Sequence, residues 1–218
     1  MILYGFFRSS ASYRVRIAMN LKGLAPELRP IQLAKKIQNT NEFRAINPQG
    51  FVPYLIDDDD VNKGAFSLGQ SLAIIEYLNE IYPEPPLLPA DPRARAFARS
   101  IALMIACDVH PLNNPKVLDT LSGKFGISDE QKTQWYCGWI HEGFTAIEAL
   151  LAQQNNPGKY CVGNTPTVAD ICLIPQVTNA NRFKCALDKF PRIMEIYHHA
   201  MQHPAFDAAQ PSKQPDAI

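Results

Sequence analysis

Charge of one sign is missing from this chain: 21 basic residues meet 21 acidic ones, for a formal net charge of zero. That balance leaves no electrostatic footprint for nucleic acid or an anionic membrane surface as partner. Long apolar runs are missing too. No stretch approaches the roughly eighteen uninterrupted apolar residues of a spanning helix. Residues 1–5 lack a basic region leading into a long apolar one, so the expectation is a cytoplasmic protein. Five cysteines (Cys107, Cys137, Cys161, Cys172 and Cys185) are odd in number, widely spaced and never C-x-x-C. Their pattern argues against a disulfide framework, a zinc knuckle or a dithiol redox motif, and for buried free thiols. No metal site is expected: His141-Glu142 opens a zinc-protease signature, but Thr145 stands where the second histidine would be. Repeats are absent, and the one like-charge run, four aspartates at 57–60, reads as a hairpin tip.

What is present is an ordinary globular composition, 46% hydrophobic and 19% charged over 218 residues, enough for one large or two modest domains. Residues 2–6 read as a strand, and 12–22 as a helix with Val15, Ala18 and Met19 on one face and Gly23 as its stop. Residues 27–33 alternate like a second strand, so the first part is a βαβ unit with parallel strands and a right-handed crossover. A polar segment (35–42) and the turn Asn47-Pro48-Gln49-Gly50 follow. Residues 51–56 then form a strand with Pro53 confined to its beginning, because proline cannot donate to a ladder. Residues 65–68 return as the second arm of a hairpin, and Gly69-Gln70-Ser71 opens a helix through Leu72, Ile75 and Leu78 that ends before Pro83. A βαβ unit followed by ββα makes a four-stranded α/β domain with a mixed sheet, spanning 1–83. The proline-rich stretch 84–92 is a linker. From 93 to 208 every periodic segment is helical (95–107, 115–121, 129–154, 168–183, 191–201), so the second domain, 93–218, is all-α. Thr167-Val168-Ala169-Asp170 reads as a capping box with Asp in place of Glu, and the tail after Gln210 reads as loosely held.

The chemistry concentrates in Arg8-Ser9-Ser10-Ala11-Ser12-Tyr13-Arg14-Val15-Arg16, a hydroxyl-rich turn between strand and helix. A serine at a helix N-cap satisfies orphan N–H groups, and three serines within four residues leave hydroxyls over. A helix start also favours negative charge. A thiolate or carboxylate above Ser9 and Ser10 would meet N–H dipoles, hydroxyl donors, Arg8 and Arg14. The plainer alternative is that these serines only cap a helix. Gln70-Ser71 is a second polar helix start of the same kind.

A small α/β domain, a proline linker and a helical domain resemble the cytosolic glutathione transferases. Ser9-Ser10-Ala11-Ser12-Tyr13-Arg14-Val15-Arg16-Ile17-Ala18 is similar to the S-S-C-S-x-R-V-R-I-A motif of the zeta class. The likeness continues through Asn47-Pro48, Val52-Pro53, the Gln70 to Leu78 segment, Leu87-Leu88-Pro89, Pro175-Gln176-Val177 and Arg182-Phe183 to Gln214-Pro215-Asp216. The resemblance implies a thioredoxin-like first domain, glutathione as cofactor, a homodimer, and a small-molecule substrate of the maleyl enone dicarboxylate type. The implied reaction is the isomerisation of maleylacetoacetate to fumarylacetoacetate in aromatic amino-acid catabolism, by reversible addition of the glutathione thiolate. Maleylpyruvate as substrate stays open, as does general transferase chemistry on α-haloacids and other electrophiles, or a non-catalytic binding domain. Lys116, where some maleylpyruvate enzymes are expected to carry arginine, tilts the choice towards maleylacetoacetate.

By motif position, the resemblance assigns Ser9 as the thiol-activating hydroxyl with Ser10 beside it. Ser9, Ser10, Ala11, Ser12, Arg14, Gln38, Val52, Gln70 and Ser71 form the tripeptide site. Val52, held by a cis Pro53, offers its backbone to the cysteinyl unit, and Gln70 and Ser71 take the γ-glutamyl carboxylate. From the helical domain, His110, Asn114 and Lys116 are further candidate contacts, and Arg8, Lys116 and Arg182 are the cations for the substrate's carboxylates. Ala11 departs from the family cysteine and puts in doubt side activities attributed to it. Energetically a serine suffices. Lowering a thiol pKa of about 8.5 by two units needs about 2.7 kcal/mol. A hydrogen bond to a charged group supplies about 1.5–3 kcal/mol and a helix start about 0.3–1 kcal/mol.

Overall fold

A computed structural model describes residues 1–57, 64–154 and 158–217. The chain forms two units, one of residues 1–86 with 203–218 and one of residues 87–202. In the first unit, strands β1 (Ile2–Gly5), β2 (Glu27–Pro30), β3 (Tyr54–Asp57) and β4 (Phe66–Gly69) form one sheet in the order β2-β1-β3-β4. β1 runs parallel to β2, with Leu3 opposite Leu28, and antiparallel to β3, with Leu3 opposite Leu55; β3 and β4 are antiparallel. This is the mixed sheet that the βαβ and ββα patterns predict. Of the acidic run, Asp57 ends β3 and Asp58, Asp59 and Asp60 lie outside the described residues.

Helix α1 (Ser10–Leu21) is buried from Ser10 to Met19, polar residues included. It starts two residues earlier than its apolar periodicity indicates, because Ser9 takes the N-cap and its side chain accepts from the Ser12 N–H at 3.2 Å. Periodicity marks the buried face of a helix and is blind to a polar first turn. On the other face of the sheet, Tyr4, Ile31, Phe43 and Tyr54 form a small core. Phe43 is the buried residue of α2 (Asn41–Ile46), capped by Thr40, and one apolar anchor in a short helix is too little periodicity to read. Helix α3 (Ser71–Ile81) buries Ile74, Ile75 and Leu78.

The C-terminal residues are not loosely held. Tyr13 Oη and Asn20 Nδ2 donate to the carbonyls of Phe206 and Ala205 in α9 (Pro204–Ala208). Arg16 Nε donates to Ala209, and Asp216 accepts from the Phe7 N–H at 3.0 Å. Burial lowers the Arg16 guanidinium to about 10, and carbonyls of Phe6, Phe7 and Ala209 satisfy it. Composition marks the tail as mobile, but its hydrogen-bond partners lie near the chain's start, which local sequence does not reveal.

In the second unit, α4 (Pro92–Leu103), α5 (Pro115–Phe125), α6 (Asp129–Ala152), α7 (Val168–Arg182) and α8 (Pro191–Ala200) form the helical domain. α7 is its axis: every residue from Val168 to Val177 is buried. At its start the buried Asp170 accepts from the Thr167 N–H (2.8 Å), the Thr167 hydroxyl (3.0 Å) and the Cys161 N–H (2.7 Å). After α4 the chain continues as a π-helical stretch, Met104–Val109. Val109 packs against α6 where a Cβ at Gly143 would overlap it.

One expectation about the cysteines is overturned. Cys137 in α6 and Cys185 after α7 are joined by a disulfide, their Cα atoms 5.3 Å apart. A sequence separation of 48 residues carries no sign of this pairing, because the packing of α6 against the α7–α8 turn brings the two together. Cys161 and Cys172 are buried thiols, whereas Cys107 is exposed.

Replacing Asp170 by Ala leaves the buried Thr167 and Cys161 N–H groups without their acceptor. Each such group costs about 1–3 kcal/mol, so urea unfolding should show a loss of at least about 2 kcal/mol, and Asp170→Asn, which keeps one acceptor oxygen, should lose less. An Asp170→Ala chain within about 1 kcal/mol of wild type would show that the cap contributes little.

Candidate functional site

Two helix starts in the first unit carry the predicted site residues. At α1, Ser9 is half-buried and Ser10 and Ala11 are buried within the first turn. The Ser9 Oγ uses a lone pair on the Ser12 N–H, which leaves its O–H proton to donate elsewhere. No acidic residue occupies the first turn of α1 or α3, so both starts keep their positive potential. Arg8 is exposed, its Cζ 4.9 Å from the centre of the Phe7 ring. Ser12 is fully buried and its Oγ accepts from the Phe6 N–H at 3.4 Å. That hydroxyl serves the turn between β1 and α1 and does not reach the surface.

At α3, Gln70 precedes the helix with φ 67°, a left-handed backbone that a non-glycine residue rarely takes. Its exposed amide is held by Gln49, Nε2 to Oε1 at 2.9 Å. Ser71, the first helical residue, is buried, and its Oγ accepts from Arg14 Nη1 at 3.3 Å. Arg14 is itself 1% exposed, so it acts from beneath, tying the first turns of α1 and α3 together. Gln38 sits half-buried in the 3₁₀ turn Ile37–Asn39, and its Oε1 has no hydrogen-bond partner among the described residues. Gly50, at φ 66°, lets the Gln38 carbonyl approach to where a Cβ would be 2.7 Å away. Val52 is half-buried, and its bond to Pro53 is cis, as the resemblance implies; the cis bond at Glu84–Pro85 has no counterpart in the sequence reading.

In the second unit, His110 is half-buried at the end of the π-helical stretch, its N–H bonded to the Ile105 carbonyl. Asn114 caps α5, its Oδ1 accepting from the Lys116 N–H at 3.0 Å, and the Lys116 side chain is exposed. The Asn114 carbonamide is thus spent on the cap through its oxygen, with its NH₂ left to donate. Arg182, the exposed last residue of α7, has its Cζ 4.8 Å from the centre of the Phe183 ring, on which the buried Tyr136 stacks by its own phenol ring. Burial pushes that phenol up to about 12, with the guanidinium pulling against it. Trp135, Tyr136 and Asn113 were not singled out by sequence reasoning. Asn113 lies in the 108–116 stretch beside His110 and Asn114, and nothing local in the sequence marks Trp135 or Tyr136.

The family model for the glutathione S-transferase N-terminal domain matches residues 3–86, and that for the C-terminal domain residues 124–208. Among curated relatives, a probable maleylacetoacetate isomerase of Vibrio cholerae is 45% identical, over 100% of this chain and 98% of the relative. The maleylpyruvate isomerase of a Ralstonia species is 44% identical over the full length of both chains. Among solved structures, maleylacetoacetate isomerase from Methylobacterium extorquens AM1 with bound malonate and glutathione is 38% identical over all of both chains, with a TM-score of 0.94.

The left-handed backbone at Gln70 sets up a simple comparison. Strain of this kind costs at least about 1 kcal/mol in a non-glycine residue, so Gln70→Gly should unfold at higher urea than Gln70→Ala by about that much. Equal midpoints for the two variants would mean that the turn stores no strain.

Proposed function

Because the chain belongs to the glutathione S-transferase family, in its zeta class, we propose that it is a glutathione-dependent cis–trans isomerase of maleyl-type enone dicarboxylates, with maleylacetoacetate as substrate. The observation that carries the reading is Ser9, a helix N-cap whose hydroxyl accepts from the chain and retains a proton to donate. In this reading residues 1–83 hold glutathione, 84–92 connect, and 93–218 hold the substrate. A cytosolic homodimer belongs to the same reading; among the described residues no helix is long and apolar enough to cross a membrane.

The residues present suit glutathione. A buried acceptor on Gln38, the Gln70 amide and the Ser71 helix start offer separate partners for a peptide's amides and carboxylates. Bound there, glutathione supplies a thiolate that adds reversibly to the alkene and so permits rotation about the former double bond. Ser9 donates a hydrogen bond to that sulfur and favours its ionised form, with the α1 start adding to the same effect. Ser10 supplies a backbone N–H beside it. Ser12 and Arg14 hold the turn and the two helix starts from beneath. Arg8, Lys116 and Arg182 take the substrate's carboxylates and the charge that develops on its ketone oxygen, with His110 and Asn114 as further polar contacts. Relatives at 45% and 44% identity are named a probable maleylacetoacetate isomerase and a maleylpyruvate isomerase respectively, and Lys116 favours the former reading.

Ser9 has two roles, capping and activation, and substitutions separate them. Ser9→Ala should lose about 1 kcal/mol of stability and about a hundredfold in glutathione-dependent isomerisation, followed by the absorbance of maleylacetoacetate, equivalent to about 2.7 kcal/mol. Ser9→Asp keeps a good cap but replaces the donor by a negative charge, so it should stay stable and lose activity. Activity retained by Ser9→Asp would sink the thiol-activating role. Failure of the wild type to convert maleylacetoacetate, with conversion of an α-haloacid, would promote the general transferase.

A further inference from the structure

Gln214-Pro215-Asp216, at the end of the chain, has no part in the site described so far. In the fold it returns to the first turn of the chain. Asp216 Oδ2 accepts from the Phe7 N–H at 3.0 Å. The Phe7 carbonyl accepts from Arg16 Nη2 at 3.0 Å, and the same guanidinium donates through Nε to the Ala209 carbonyl at 3.1 Å. Both main-chain polar groups of Phe7 are thus held, one by the tail itself and one by an arginine that also grips the tail. Arg16 and Asp216 line one recess beside Phe6 and Phe7. The tail is braced in turn: Gln214 Nε2 donates to the carbonyls of Ala208 (3.0 Å) and Gln210 (2.8 Å), and Lys213 pairs with Asp207.

Phe7 lies two residues before Ser9, in the turn between β1 and α1. That turn is closed by the Ser9 N–H, which donates to the Phe6 carbonyl at 3.0 Å. On its helix side Ser9 is held by its cap bond and by the Tyr13 N–H, which donates to its carbonyl at 2.8 Å. The place of Ser9 is therefore set from the helix and from the turn, and the turn side depends on Phe6 and Phe7. We propose that Asp216 is a positioning residue for thiol activation: its carboxylate holds the Phe7 backbone, and with it the turn that aims the Ser9 hydroxyl at the glutathione sulfur. The proposal rests on Ser9 being the thiol-activating donor. A hydrogen bond weakens steeply as its angle and distance worsen, so a turn that drifts weakens the Ser9 bond to sulfur. A carboxylate is the stronger kind of acceptor for such a tether. Gln38, Gln70 and Ser71, the proposed partners for the rest of glutathione, lie on other segments, so the effect belongs to ionisation of the thiol and not to binding of the tripeptide.

The test compares full chains of wild type, Ser9→Ala, Asp216→Ala, Asp216→Asn, Asp216→Glu and the Ser9→Ala/Asp216→Ala double variant, each below the onset of its unfolding. Two quantities are read: the thiolate fraction of bound glutathione at neutral pH, from its ultraviolet absorbance, and steady-state kinetics with maleylacetoacetate. In Asp216→Ala the thiolate fraction and kcat should fall together by about fivefold, with the KM for glutathione within about twofold of wild type. Asp216→Asn keeps an acceptor oxygen for the Phe7 N–H and should restore both to near wild type. Asp216→Glu keeps the charge but moves the acceptor by one methylene, so both should fall by about threefold, and it carries the test if Asp216→Ala does not fold. The double variant should be no worse than Ser9→Ala, the mark of two residues acting through one interaction. Bound glutathione no more ionised in wild type than in Ser9→Ala would remove the Ser9 reading and this proposal with it. Ionisation that depends on Ser9 but is unchanged in the folded Ala or Glu variant at 216 would overturn the positioning role and leave Ser9 standing. A rise in the KM for glutathione as large as the fall in kcat, or a double variant about fivefold worse than Ser9→Ala, would overturn it as well.

Discussion

A guanidinium almost without solvent contact sits between the two helix starts of the first unit. Arg14 is 1% exposed and donates to Ser71 at the first position of α3. Burying a charge costs less where it is hydrogen-bonded, and through this one contact Arg14 links the start of α3 to α1. Everything proposed for the glutathione site follows from that constraint: Ser9 at one start, Gln70 at the other, and neither start blunted by an acidic side chain in its first turn. Arg16, two residues on, extends the same logic to the chain's end by holding the Ala209 carbonyl.

The second unit uses a helix where the first uses a sheet. α6 is 24 residues long, and the turn at 135–137 is where its partners converge: the 110–114 segment, Phe183 with Arg182, and Cys185. The exposed Arg182 guanidinium therefore lies over the Phe183 ring, which stacks on the buried Tyr136. Burial supplies rigidity, and the exposed groups supply charge.

Much of this was legible in sequence because the relevant signals are local. Alternating and helical periodicity gave four strands and the major helices, and the turn residues marked Ser9 and Gln70-Ser71 as polar helix starts. What escaped was set by contacts remote in the chain. Ser12 belongs to a serine-rich turn and reads as a ligand group, yet the Phe6 N–H claims its hydroxyl. Arg14 reads as a cation that a bound anion would meet, yet it is 1% exposed and donates to Ser71. The Cys137–Cys185 bridge, the anchoring of Asp216 at Phe7 and the stacking of Tyr136 on Phe183 depend on the packed fold.

Ala11, the departure from the zeta motif, can be judged on the same physical terms. It lies in the first turn of α1, 9% exposed, between two serines. In the proposed reading a thiolate there is stabilised by the Ser9 O–H and the positive potential of the helix start, and the N–H of residue 11 is contributed equally by alanine or cysteine. The Ser9 hydroxyl gains further from its own acceptor role: accepting from the Ser12 N–H polarises the O–H bond and makes it a better donor. The side chain at 11 can therefore change while the cap, the dipole and the donor persist, and activation of a bound thiol depends on those three.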